Sequence, residues 1–121
     1  MRTILNIALS AMIFLMLVVS VAPASLGEAN VYFNAATKKY LRGNFPDALA
    51  NLEKAHDLDP NNDKINEFTL KILLEAAGQS RLNKNNQQAN EYLDKAKKIS
   101  PDNPKVLDMD KLLNPDKVKA A

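Results

Sequence analysis

The segment Ala29–Asn62, ANVYFNAATKKYLRGNFPDALANLEKAHDLDPNN, decides how the rest of the chain reads. Val31 and Ala35, and Tyr32, Ala36 and Tyr40, recur at intervals of four, so each set shares one face of a helix. Gly43-Asn44 then stops it, because both residues tolerate the left-handed backbone that ends helices. Asn44 is a natural cap for a following helix, and Pro46 suits that helix's first turn. Ala48, Leu49, Leu52, Ala55 and Leu58 form a second apolar stripe. Pro60 closes it, since proline biases Asp59 away from helical angles. Two amphipathic helices joined by so short a turn pack antiparallel, because each has one stripe to bury.

The pattern returns further along the chain. Ala48, Leu52, Ala55 and Pro60 are matched by Ala89, Leu93, Ala96 and Pro101, each 41 residues on. Tyr32 and the Ala35-Ala36 pair are matched at the same interval by Leu73 and Ala76-Ala77. Ile65, Phe68, Ile72 and Ala76 share one face, and Thr69, Leu73 and Ala77 extend it.

Read in these slots, the chain resembles the tetratricopeptide repeat family. Tyr32 fills the large slot, Ala35-Ala36 the small pair, Ala48, Leu52 and Ala55 the second-helix slots, and Pro60 the end of the unit. Lys39 occupies the usual aromatic slot, with Tyr40 beside it as the substitute ring. The 41-residue spacing exceeds the family period of about 34. Seven extra residues are nearly two turns and rotate a face by only about 20°. The expectation is therefore that the first helix of the second unit is simply longer, running unbroken from near Asp63 through Gly78 to about Asn83.

The expected domain, residues 25–113, is an all-α, two-repeat helix–turn–helix solenoid with a C-terminal capping helix. Repeat one covers 29–62 and repeat two 63–103, and in the cap over 104–113 Val106, Met109, Leu112 and Leu113 make one apolar face. Ser25–Glu28 reads as a lead-in, with Ser25 a cap and Glu28 at a capping-box position. Residues 114–121 read as a frayed tail. Ahead of the repeats, Arg2 precedes an uncharged apolar run, Ile4–Val21, and then Ala22-Pro23-Ala24. This is the layout of a secretory signal peptide cut after Ala24. The alternative is an uncleaved anchor, since residues 4–21 approach the roughly 20 needed to span a bilayer. Either way the repeats are expected outside the cytoplasm, periplasmic, secreted or membrane-tethered.

Composition narrows the function classes. Arg2 is the only charge ahead of Ser25, so the remainder carries 15 basic and 14 acidic residues. Such a near-neutral surface gives no electrostatic reason to expect nucleic acid. The absence of cysteine removes disulfides, thiolate nucleophiles and Cys metal sites. Asp57, Asp59, Asn61 and Asp63 alternate like a calcium loop, but Asn62 stands where the sharp-turn Gly belongs and Phe68 where the bidentate Glu belongs. His56 is the only histidine and cannot by itself make a usual zinc site. No Gly-rich or strained turn presents a Ser–Lys dyad, so neither an enzyme nor a cofactor or metal site is expected. Lys38-Lys39 and Lys95, Lys97 and Lys98 read as solvated helix faces.

The family resemblance implies a concave groove for a peptide or partner protein, lined by the first helices. The matching positions are Asn30, Phe33, Thr37, Tyr40 and Leu41, then Lys71, Leu74, Arg81 and Leu82. Carboxylate-clamping members carry Lys and Asn where this chain has Phe33 and Thr37, so the implied groove is apolar with a basic edge from Lys71 and Arg81. Packing of Phe33, Tyr40 and Leu41 within the domain is the alternative. The expected function is an exported, non-catalytic interaction module. The competing reading is a membrane-tethered element of the cell envelope that forms homo-oligomers, since two repeats fall short of the three that usually make a stable stack.

Overall fold

A computed structural model describes residues 22–119. Six helices and no strand occur among them: α1 Ala22–Leu41, α2 Phe45–Leu58, α3 Asp63–Leu82, α4 Asn86–Ile99, α5 Pro104–Leu113 and α6 Pro115–Lys119. The helices pack in pairs, α1 with α2 and α3 with α4, and lighter contacts join α2 to α3 and α4 to α5. Among the described residues no helix is long and apolar enough to cross a membrane. The expected signal or anchor lies outside the described residues up to Val21, and Ala22–Ala24 are helical, within α1.

The helix starts explain the 41-residue interval. α1 is described over 20 residues, as many as α3 contains, and α2 and α4 are both 14 long. The starts of α2 and α4 at 45 and 86, like those of α3 and α5 at 63 and 104, lie 41 apart. The expectation of a longer first helix in the second unit is therefore corrected: the first unit's helix is already formed at Ala22, seven residues ahead of Ala29, and is no shorter than α3. Ser25–Glu28, read as a lead-in, lies inside α1. Ala22, Ala24, Leu26 and Glu28 are ordinary or good helix formers, which suits the extension of α1 ahead of Ala29. At the other end, Pro115–Lys119 is a short helix where a tail was expected, because a proline at the first position restarts a turn as readily as it stops one.

The core follows the matched intervals. Ala36, Ala48, Leu52 and Ala55 are fully buried in the first unit, and Ala77, Ala89, Leu93 and Ala96 in the second. Ile65, Ile72 and Leu73 fill the space between the units, and Val106 carries the core to α5. α3 runs unbroken through Gly78, as the periodicity predicts. A Cβ there would meet only Met109 Cε, at an ordinary 3.8 Å, so close packing does not require the glycine.

Each junction is built twice. Asn44 caps α2 by accepting from Asp47 N at 3.2 Å, and Asn85 caps α4 by accepting from Gln88 N at 3.1 Å. Asn62 accepts from Lys64 N at 3.1 Å at the start of α3, and Asn103 from Lys105 N at 2.9 Å at the start of α5. The turns share a left-handed residue, Gly43 at φ 73° and Lys84 at φ 62°. Glycine takes that conformation freely, whereas a side chain there brings Cβ too close to the next carbonyl.

The last joint is ionic. Lys97 Nζ reaches Asp110 Oδ2 at 2.7 Å, and Asn114 Nδ2 donates to Asp110 Oδ1 at 2.9 Å. The Lys97 hydrogen bond holds the Asp110 carboxyl below the usual carboxylate range, against burial, which pushes it up.

Two outcomes follow in urea unfolding. Lys84→Gly gains about 1 kcal/mol by relieving the left-handed strain; an unchanged or lower midpoint would contradict the strain. The folded Asp110 carboxyl ionises more easily than the unfolded one, so its contribution is complete above the ordinary carboxylate pKa of about 4 and is lost as pH falls through the depressed value. Asp110→Asn therefore lowers stability at neutral pH and flattens its decline in acid.

Candidate functional site

α1 and α3 meet through an aromatic cluster. The Phe33 and Phe68 rings lie 5.4 Å apart and tilted, and Tyr40 meets Phe68 edge-on, also at 5.4 Å. Tyr40 stacks on Phe45 at 6.0 Å, which ties the first turn of α2 to the same cluster. Lys64 lies 5.1 Å over the Phe33 ring, and Lys71 lies 5.1 Å over the Tyr40 ring. These edge-to-face and cation–π geometries are each worth about 0.5–1.5 kcal/mol beyond buried area. The Tyr40 hydroxyl donates to Glu75 Oε1 at 3.1 Å. Phe33 and Tyr40, expected on a groove, are thus half-buried in packing between the units. Thr37 turns inward on its own helix and donates from Oγ1 to the Phe33 carbonyl at 3.0 Å.

Next to this cluster lies a recess of about 490 Å³ between α3 and the start of α5. Leu70 and Leu74 provide its apolar surface, and Glu67, Lys71, Glu75 and Lys105 provide charges of both signs. Lys71 and Glu75 connect it to the cluster, since both also contact Tyr40. Two residues of the expected groove, Lys71 and Leu74, line this recess. Asn30 is exposed on α1 and lies outside it. Leu41, Arg81 and Leu82 are carried to the helix ends beside the two turns, with both leucines 77% exposed. Glu67, Leu70, Glu75, Asn103 and Lys105 are additions that the family slots did not supply. The helical period could have found two of them, since Glu67 and Glu75 stand four residues either side of Lys71.

A second cleft, about 290 Å³, opens between α2, α3 and α4. Leu49, Leu52, Leu73 and Ile99 form its floor, and the Lys95–Glu53 ion pair at 3.2 Å lies on its rim. His56 Nδ1 is 2.9 Å from Asn66 Oδ1 at the same rim. In the α2–α3 turn, Asn62 Nδ2 donates to Asp59 Oδ2 at 2.8 Å while Asn62 Oδ1 caps α3, so these side chains serve the turn.

Comparison with protein-family models, with curated proteins and with solved structures finds no match.

Phe68 is the ring common to the Phe33 and Tyr40 contacts. Phe68→Ala is expected to cost about 2–3 kcal/mol in urea unfolding, below the fully buried range because the ring is half-exposed. Phe68→Leu should recover part of that loss. Equal stability of all three proteins would show that the rings do not join the units.

Proposed function

We propose that this chain is a non-catalytic, tetratricopeptide-like interaction module, exported from the cytoplasm, that holds an extended or helical segment of a partner protein. The family slots and the paired helices at a common interval support a short solenoid. The apolar run before α1 supports export, through either a cleaved signal or a retained anchor. The observation that carries the binding reading is the recess between α3 and α5. It sets Leu70 and Leu74 among charges of both signs, which is the chemistry that takes an apolar anchor side chain with polar flanks.

A second reading rests on the outer face of α1. Val31 is 65% exposed, while Ile72, its counterpart 41 residues on, is 0% exposed in the core between the units. Leu26, also on α1, is 52% exposed. These exposed apolar side chains favour self-association through α1, with the N-terminal run as tether.

Selection of peptides from a displayed library against the full chain separates the two. Binding at the recess should fall about thirtyfold or more in Leu74→Asp, as for a central anchor contact, with the thermal melt retained. Binding that survives this change would remove the recess from consideration. A dimer in sedimentation velocity that Val31→Lys dissociates would favour the second reading.

A further inference from the structure

Lys64 lies over Phe33 and Lys71 over Tyr40, a step of seven residues in both helices, so α1 and α3 run in the same direction. Their C-terminal ends, and the α1–α2 and α3–α4 turns that follow, therefore share one edge of the molecule. Leu41 and Leu82 stand there at equivalent positions, 41 residues apart, and at 77% each is more exposed than any other large apolar side chain among the described residues. Each adjoins an arginine, Arg42 after Leu41 and Arg81 before Leu82.

Charge is segregated to the same place. Residues 38–48 and 79–89 contain five cations, Lys38, Lys39, Arg42, Arg81 and Lys84, and one carboxylate, Asp47. Lys39 pairs with Asp47 at 3.1 Å, and the other four cations are exposed. The opposite edge, residues 55–66 and 96–107, balances four aspartates against four lysines. The near-zero total charge thus conceals a basic edge with two protruding leucines.

We propose that this edge docks on an anionic phospholipid bilayer, with Leu41 and Leu82 entering the headgroup–acyl boundary and Lys38, Arg42, Arg81 and Lys84 at the level of the phosphates. Isolated leucines at helix ends offer a folded partner no recess to fill, but a deformable lipid phase buries each of them. Each basic residue near such a surface raises partitioning by roughly fivefold. Stacking on nucleic-acid bases needs free aromatic faces, and Phe33, Tyr40 and Phe45 are packed on one another or on Phe68. The contact is distinct from the recess between α3 and α5. It is also remote from the start of α1, since a 20-residue helix separates its two ends by about 30 Å.

The test uses the full chain, whose lack of cysteine allows single-site labelling. A polarity-sensitive fluorophore is attached at Leu82→Cys or, on the opposite edge, at Asn61→Cys. With phosphatidylcholine vesicles containing phosphatidylglycerol, the Leu82 probe should shift to the blue and the Asn61 probe should not. Pure phosphatidylcholine should give no shift, and 1 M salt, with a screening length of about 3 Å, should reverse it. Arg42→Gln with Arg81→Gln should lower partitioning about 25-fold while leaving the melt unchanged. The proposal is overturned if the Leu82 probe stays unshifted on anionic vesicles or shifts equally on neutral ones. A shift confined to Asn61 would place the lipid contact at the other edge and overturn it too. So would an equal response to soluble polyglutamate, which would make this a site for acidic polypeptides.

Discussion

A side chain no larger than a methyl group lets two helix axes approach to about 8 Å, and this chain buries one at matched positions in both of its helix pairs. Ala36, Ala48 and Ala55 in the first unit, and Ala77, Ala89 and Ala96 in the second, are fully buried. Larger groups at these positions would force the helices apart and strand Leu52 and Leu93 in half-filled space. Because each pair is fixed internally, the pairs can join through a modest contact. The aromatic cluster between α1 and α3 works only because both helices are already held by their own partners.

That cluster is not copied at the next joint, and the difference creates the recess. The counterpart of Phe68 in α5 is Met109, and the counterparts of Phe33 and Tyr40 in α3 are Leu74 and Arg81. With no second set of rings to fill it, the space between α3 and α5 stays open over Leu70 and Leu74. α5 is ten residues long and leans on α4 through the Lys97–Asp110 pair. One joint is thus filled by side chains, while the other is left concave.

Much of this architecture is written in local residue choices. The helix pairs, the asparagine caps Asn44 and Asn103, the stop at Gly43 and the unbroken passage through Gly78 all follow from short-range rules of propensity and period. The extension of α1 ahead of Ala29 was hidden because alanine and leucine suit an export signal and a helix equally well. Lys84 was hidden because its left-handed backbone is imposed by the geometry of the turn and carries no residue signature. The site was less legible than the fold. Family slots point to Phe33 and Tyr40 as groove residues, but a ring at a helix surface does not declare whether it faces a partner or a neighbouring helix. Phe68 decides that question here, and it is visible only once α1 and α3 lie side by side.

The four helix starts from α2 to α5 are capped by carboxamides, at Asn44, Asn62, Asn85 and Asn103. An aspartate would satisfy the same backbone donors more strongly as an anion, but would weaken that hold on becoming protonated. A neutral amide gives up the dipole bonus and gains indifference to medium. None of the four is followed by glycine, the neighbour that most readily lets an asparagine side chain cyclise onto the backbone. The scaffold's joints are thereby insulated from swings in proton and ion concentration and from slow chemical ageing, so its helix starts hold over a wider range of media than carboxylate caps would allow.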